Sequence, residues 1–298
     1  MPLRSALLIC AVLLSGAILH AQPPSVIQNS VGLRLRVVDE NSPALAISLP
    51  GLPNSDRSIE IIFPEHVTAK RHGTSEPEHL YLYSTRQRRK APAWRKSKNS
   101  LEYVRDLEGG IHFLARATLE DDGVLFHYEF QNHSDAAYDM IYAVTDPRLK
   151  GIFHDVRLER TYVHHKDGFD LLASEAPARL TMPLSQWLPS RYLASYTWPV
   201  PTTLVEHRSD GITYYNKSRP VDEPLIATFS EDRNWVVASF TRTTGNVWSN
   251  PELTCQHVDP ETSIAAGQKE VIEVKILVFK GTLEDVLRKV RAERNTLK

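Results

Sequence analysis

Cysteine is scarce in this chain: two residues in 298, Cys10 and Cys255. Cys10 lies inside an N-terminal apolar run, so the rest of the chain holds a single thiol and no internal disulfide. Other chemistries lack their residues too. There is no Cys-x-x-Cys and no His-Glu-x-x-His for zinc, no Gly-x-Ser-x-Gly nucleophile turn and no glycine-rich phosphate loop. No internal repeat is present. Neither charge dominates, with 35 basic and 36 acidic residues, so nothing draws the whole molecule to nucleic acid or an anionic membrane.

The N-terminus reads as an export signal over residues 1–21. Arg4 supplies the positive start, Ala6 to Leu19 is an apolar run broken only by Ser15 and Gly16, and Leu19-His20-Ala21 offers a small residue for cleavage before Gln22. The run is shorter than the roughly 20 residues of a membrane-spanning helix, so no stable anchor is expected after cleavage. Cys10 is too early for lipid attachment. Cleavage leaves 277 residues with a formal charge of −2, secreted or periplasmic. Asn132-His-Ser and Asn216-Lys-Ser match the glycosylation acceptor pattern, which matters only in a eukaryotic secretory pathway.

Residues 22–30, with Pro23-Pro24, read as a flexible leader, and 31–298 as one β domain. From Val31 the chain alternates with period two, Leu33, Leu35 and Val37 facing one way and Arg34, Arg36 and Val38 the other. Similar runs are expected at Ala44–Leu49, Ser58–Phe63 and His79–Tyr83. The clearest hairpin joins Gly110–Leu119 to Val124–Gln131 through Glu120-Asp121-Asp122-Gly123. Tyr138–Val144, Leu158–His164, Gly211–Asn216, Leu225–Phe229, Trp235–Thr241 and Glu270–Phe279 follow. One helix is predicted over 282–294, capped by Thr282 with Asp285, carrying an apolar stripe of Leu283, Val286, Leu287 and Val290. About a dozen strands without alternating helices predict an all-β fold, a large antiparallel β-sandwich with a C-terminal helix.

The basic stretch Arg86 to Lys98 encloses Trp94. It reads as a solvated excursion between strands, or else as a contact for an acidic polysaccharide. A nucleic-acid partner is not expected of an exported chain.

Three stretches concentrate polar groups. In the first, Val124, Phe126, Tyr128 and Phe130 share a core face, so His127, Glu129 and Gln131 share the other, about 7 Å apart per step. That face offers an imidazole beside a carboxylate, or it is plain solvent surface. In the second, Cys255, His257 and Asp259 fall on one side of an extended chain, close in sequence to Trp248 and Asn250. Thiolate, imidazole and carboxylate can each bind a transition metal, but the spacing lacks the loop geometry of most zinc sites, and no metal and no cofactor is expected. The alternatives are a buried cysteine acting as a small hydrophobe and a hydrogen-bonded His257 at a sandwich edge. Trp248 can stack on a sugar ring or fill core. The third stretch, Phe153 to His165, is dense in His and Arg; Arg157 and Arg160 suit an anionic or hydroxyl-rich ligand, or are solvated loop charges.

Asn132-His-Ser-Asp, Asp155, Arg160-Thr-Tyr-Val, Trp248-Ser-Asn-Pro, Cys255-x-His257-x-Asp259-Pro260, Ala266-Gly267 and the terminal helix together resemble the galactose-mutarotase-like super-sandwich proteins. The resemblance spans most of residues 31–292 and is greatest to exported bacterial members of no assigned activity. It implies a sandwich whose concave face binds a saccharide. It also implies a histidine acid and a glutamate base that open the sugar ring, in a cleft that related lyases and hydrolases reuse. His127 or His257 would stand for the histidine, and Glu129 or Asp259 for the carboxylate; the acid of the second stretch is Asp where the family pattern has Glu.

Two readings follow. One is an enzyme, epimerase- or lyase-like, working on a saccharide by acid–base chemistry. The other is a non-catalytic sugar-binding or surface protein on the same sandwich. Convergence of His127, Glu129, His257 and Asp259 in one cleft would separate them.

Overall fold

The computed structural model describes residues 26–38, 42–51, 58–80 and 94–298. The export signal, the first part of the leader, the end of the strand expected at His79–Tyr83 and the start of the basic stretch lie outside the described residues. Strands dominate, in three sheets of ten, nine and four. The expected all-β sandwich with one C-terminal helix is the observed architecture. Among the described residues one strand pairing is parallel, Ser190–Ser195 with Thr213–Asn216. No helix among them is long and apolar enough to cross a membrane.

The nine-stranded sheet is built on the predicted hairpin. Ile111–Glu120 and Gly123–Asn132 pair in register from Glu120↔Gly123 to Ile111↔Asn132, and Gly123–Asn132 also pairs with Lys269–Phe279. Gly123 is required by contact, because a Cβ there would stand 2.0 Å from the Ile276 carbonyl oxygen. Phe126, Tyr128 and Phe130 are fully buried. They meet Phe63 and Phe113 at ring distances of 4.9–5.9 Å. Burying each aromatic contributes roughly 2–3 kcal/mol, which fixes the register against a one-residue slip.

The ten-stranded sheet packs against this face. Its order runs Val26–Gln28, Arg34–Val37, Ala44–Ser48, Ser58–Ile62, Asp146–Arg148, Cys255–Val258, Asn246–Asn250, Ser190–Ser195, Thr213–Asn216, Val205–His207. Leu35, Ile47, Ile59 and Ile61 join Tyr103, Phe113 and Phe126 in one core. The expected leader is shorter than 22–30, since Val26–Gln28 already pairs with Arg34–Val37. The short third sheet, Thr262–Ile264, Tyr138–Ala143, Val67–Arg71, Glu78–Leu80, contributes Val67, Ala69 and Ile141 to the same core.

The helix spans Leu283–Glu293, with the Thr282–Asp285 capping box formed as the sequence predicts. Val286 and Val290 pack on Leu225, Ala238 and Leu277, so the helix covers the outer face of the nine-stranded sheet. Lys275, buried on that face, pairs with Glu120 and Asp122, and Lys289 of the helix reaches Asp122 at 2.5 Å. Strands not anticipated from the sequence include Ser100–Leu107 and Val67–Arg71. In Ser100–Leu107 the partly exposed positions carry Glu102, Arg105 and Asp106, which masks the buried alternation of Leu101 and Tyr103.

Candidate functional site

Strand parity decides which side chains leave the core. Gln256 points inward, its Nε2 donating to Thr228 Oγ1 on the nine-stranded sheet. Its neighbours Cys255 and His257 therefore point to the other face of the ten-stranded sheet. Cross-strand register places Trp248 opposite His257 and Asn250 opposite Cys255. Pro147 separates Asp146 from Arg148, and both reach the same cluster.

The cluster is a row of charges. His257 is 2% exposed; its Nδ1 stands 3.5 Å from Asp259 Oδ2 and its Nε2 stands 3.7 Å from Asp146 Oδ1. Asp146 is fully buried, and Arg148 Nε meets its Oδ2 at 2.5 Å. Arg148 also pairs with Glu65 at 3.3 Å. Burial drives the His257 ring toward its neutral form, but Asp259, Asp146 and Glu65 together more than offset this, and its pKa stands above the ordinary value. Burial in turn holds the Asp146 carboxyl above the usual carboxylate range, against the pull of His257 and Arg148. His66 behaves oppositely: burial first, then His79, push it down to about 4.

The Trp248 indole stacks on the His257 ring, centroids 4.1 Å apart, and its Nε1 donates to Asp259 Oδ2 at 3.3 Å. Asp259 Oδ1 is buried without a hydrogen-bond partner among the described residues. An unmet buried acceptor costs about 1–3 kcal/mol, so such an atom marks a place for an added donor.

Asp259 and Trp248 form part of the wall of a cavity of about 450 Å³. Tyr142 and Thr68 come from the four-stranded sheet, and Tyr214, Arg208 and Trp198 from the far end of the ten-stranded sheet. The Arg208 guanidinium lies 3.6 Å over the Tyr214 ring. His79 also lines this cavity, edge-on to His66 at 4.3 Å and 3.0 Å from Thr68 Oγ1. The site thus offers aromatic faces, a fixed carboxylate and a guanidinium. His257 stands behind it, with Trp248 and Asp259 in front.

The other sequence-nominated residues go elsewhere. His127 and Glu129 lie on the outer face of the nine-stranded sheet, as strand parity predicts. His127 Nδ1 meets Glu273 Oε1 at 2.8 Å and Glu129 pairs with Lys269 at 2.6 Å. They do not converge with His257 and Asp259. Arg157 spends its donors on the carbonyls of Arg179 and Met182, and Arg160 on those of Phe229, Ile152 and His154, which are structural contacts. Asn250 is buried one step along the strand from Trp248, its Oδ1 without a partner among the described residues.

Asp146, Cys255 and His257 place possible metal-ligand atoms within 4.8 Å of one another. Two features oppose an ion. Arg148 already engages Asp146, and burial followed by Asp146 itself pushes the Cys255 thiol up, toward the protonated form that is the poorer metal ligand. Residues missed in the sequence include Thr68, His79, Asp146, Tyr142, Trp198, Arg208 and Tyr214. Only Trp198-Pro199-Val200-Pro201 carried a local signal, a tryptophan in a stiff proline-rich turn.

No protein-family model matches the chain, and no curated protein matches it. Solved structures do. A galactose mutarotase-like protein from Lactobacillus casei matches at 10% identity and TM-score 0.42, over 86% of this chain and all of its own. A putative aldose 1-epimerase from Escherichia coli matches at 11% identity and TM-score 0.44, over 87% of this chain and all of its own. The alpha-N-acetylgalactosaminidase of Bifidobacterium bifidum matches at 13% identity and TM-score 0.50, over 91% of this chain but 38% of its own. At such identities the likeness is one of fold.

Proposed function

We propose that this chain is an exported protein that binds a saccharide in the cavity between the ten- and four-stranded sheets, with acid–base chemistry centred on Asp259. The observation that carries the reading is the fixing of Asp259 in an aromatic-walled cavity, with Trp248 Nε1 at 3.3 Å and His257 at 3.5 Å. Aromatic faces match the apolar faces of pyranose rings, while a carboxylate and a guanidinium match hydroxyls. The cavity lies within the roughly 300–1,000 Å³ range of small-ligand sites.

In this reading Asp259 takes a proton from a sugar hydroxyl, and His257 and Trp248 hold its carboxylate in place. His257 is a positioning residue, since it stands behind Asp259. The proton donor to the ring oxygen in this reading is His79, which also lines the cavity. His127 and Glu129 have no part in the reaction.

The second reading is a non-catalytic saccharide binder. It is favoured by the withdrawal of His257 behind Trp248, which takes the His257–Asp259 contact out of the cavity. A thermal-shift screen against mono- and oligosaccharides, followed by NMR of anomer interconversion, separates the two. We expect a sugar-dependent rise in melting temperature that is lost in Asp259→Asn. Binding without interconversion or bond cleavage selects the binder; no shift with any sugar, or a shift unchanged in Asp259→Asn, overturns both.

A further inference from the structure

Trp198 is the most conspicuous side chain of the cavity that the reaction does not use. It is a large aromatic residue, 51% exposed, at the cavity edge. Its backbone is nevertheless held firmly. The N–H groups of Tyr196, Thr197 and Trp198 all donate to the carbonyl of Gly245, at 2.9, 3.1 and 3.2 Å. Thr197 Oγ1 adds a bond to the Thr244 carbonyl at 2.7 Å. Pro199 and Pro201 stiffen the chain that follows.

The indole itself is seated on Gly245. A Cβ at that position would stand 2.1–2.6 Å from Cε2, Nε1 and Cζ2 of Trp198. Gly245 is not in the left-handed region of the backbone, so what the position needs is an absent side chain rather than conformational freedom. The ring thus rests against the backbone at Gly245 while about half of the residue stays exposed at the cavity. A half-exposed aromatic residue gains little for stability, while one held rigidly in place loses little entropy on binding.

Gly245 immediately precedes Asn246–Asn250, the strand that carries Trp248. Three residues of extended chain span about 10 Å, so Trp198 and the Trp248–Asp259 pair are two separate stations on one cavity wall.

We infer that Trp198 is a stacking platform for a second sugar ring, so that the ligand is an oligosaccharide of at least two linked rings. One ring sits at Asp259 and Trp248 and the next lies on Trp198. The inference rests on the proposed saccharide site and names its ligand class.

Calorimetry on the full chain tests it, with di- and trisaccharides of glucose, galactose, N-acetylglucosamine and N-acetylgalactosamine, each against its monosaccharide. At least one oligosaccharide should bind more tightly than its monosaccharide by about tenfold or more. That advantage should vanish in Trp198→Ala, shrink in Gly245→Val and persist in Trp198→Phe. If monosaccharides bind and depend on Asp259 but the oligosaccharide advantage is absent, or survives Trp198→Ala, the inference fails and the site reading stands. If no sugar binds, both fail. If Trp198→Ala instead converts a dimer to a monomer in sedimentation without touching sugar affinity, Trp198 is an interface residue and the inference is overturned.

Discussion

The indole of Trp248 lies over the imidazole of His257, 25° from parallel, and the same indole donates through Nε1 to Asp259. One tryptophan therefore shields the buried histidine from the cavity and orients the carboxylate that faces it. The sheet supplies this arrangement because Trp248 and His257 are direct cross-strand partners.

His257 makes stability depend on pH. Burial lowers its pKa, but Asp259, Asp146 and Glu65 raise it further, to above the unfolded value of about 6.5. The stabilisation from a raised pKa is fully present below the unfolded pKa and is lost as pH rises through the folded one. Urea titrations between about pH 6 and 9 should show the advantage of wild type over His257→Gln shrinking as pH rises. His66, pushed down to about 4, loses its contribution on the acid side instead, and Arg148 stays charged throughout; both are present in the two proteins compared. An advantage that is flat or grows toward alkaline pH contradicts the arrangement.

Purified protein is expected to carry no stoichiometric zinc or copper at Asp146, Cys255 and His257. The Arg148 guanidinium occupies the Asp146 carboxylate, and a cation there would have to displace it. Elemental analysis by mass spectrometry checks this. One metal ion per chain, lost in Cys255→Ala, would reverse the conclusion.

Much of the fold was legible because its determinants are local. The Asp122-Gly123 turn between alternating strands and the Thr282–Asp285 cap each act within a few residues. Parity likewise put Cys255, His257 and Asp259 on one side of the chain. What local pattern lacks is the identity of the neighbour. Asp146, Tyr142 and Trp198 join the site through strand pairings and packing distant in sequence. For His127 and Glu129 parity gave the correct face of the strand, but which layer covers that face depends on where the C-terminal helix docks. Arg157 and Arg160 had the composition of an anion site, yet the bends around them leave carbonyls that these side chains satisfy.

Export is tested at the N-terminus. We propose that residues 1–21, with Arg4, the apolar run Ala6 to Leu19 and the small residue Ala21, act as a removable signal, in which case the mature protein begins near Gln22. Intact mass spectrometry of material from the periplasm or medium reads this directly. A membrane-bound product that retains Arg4 would show an anchor instead.

The last prediction separates the two faces of the strand Gly123–Asn132. Phe130 is fully buried and packs on Phe113 with centroids 5.2 Å apart, so Phe130→Ala should destabilise by about 3–5 kcal/mol in denaturant unfolding. His127 points the other way, partly exposed, with Nδ1 2.8 Å from Glu273. Losing that contact should cost no more than about 1 kcal/mol. His127→Ala should also leave every sugar-dependent shift intact, because the cavity lies beyond the opposite sheet, where Asp259→Asn removes the response. A silent Phe130→Ala beside an unfolded His127→Ala would mean the register is wrong by one residue. A folded His127→Ala that has lost its sugar response would move the active face to the outside of the nine-stranded sheet and leave the Trp248–Asp259 cavity without a role.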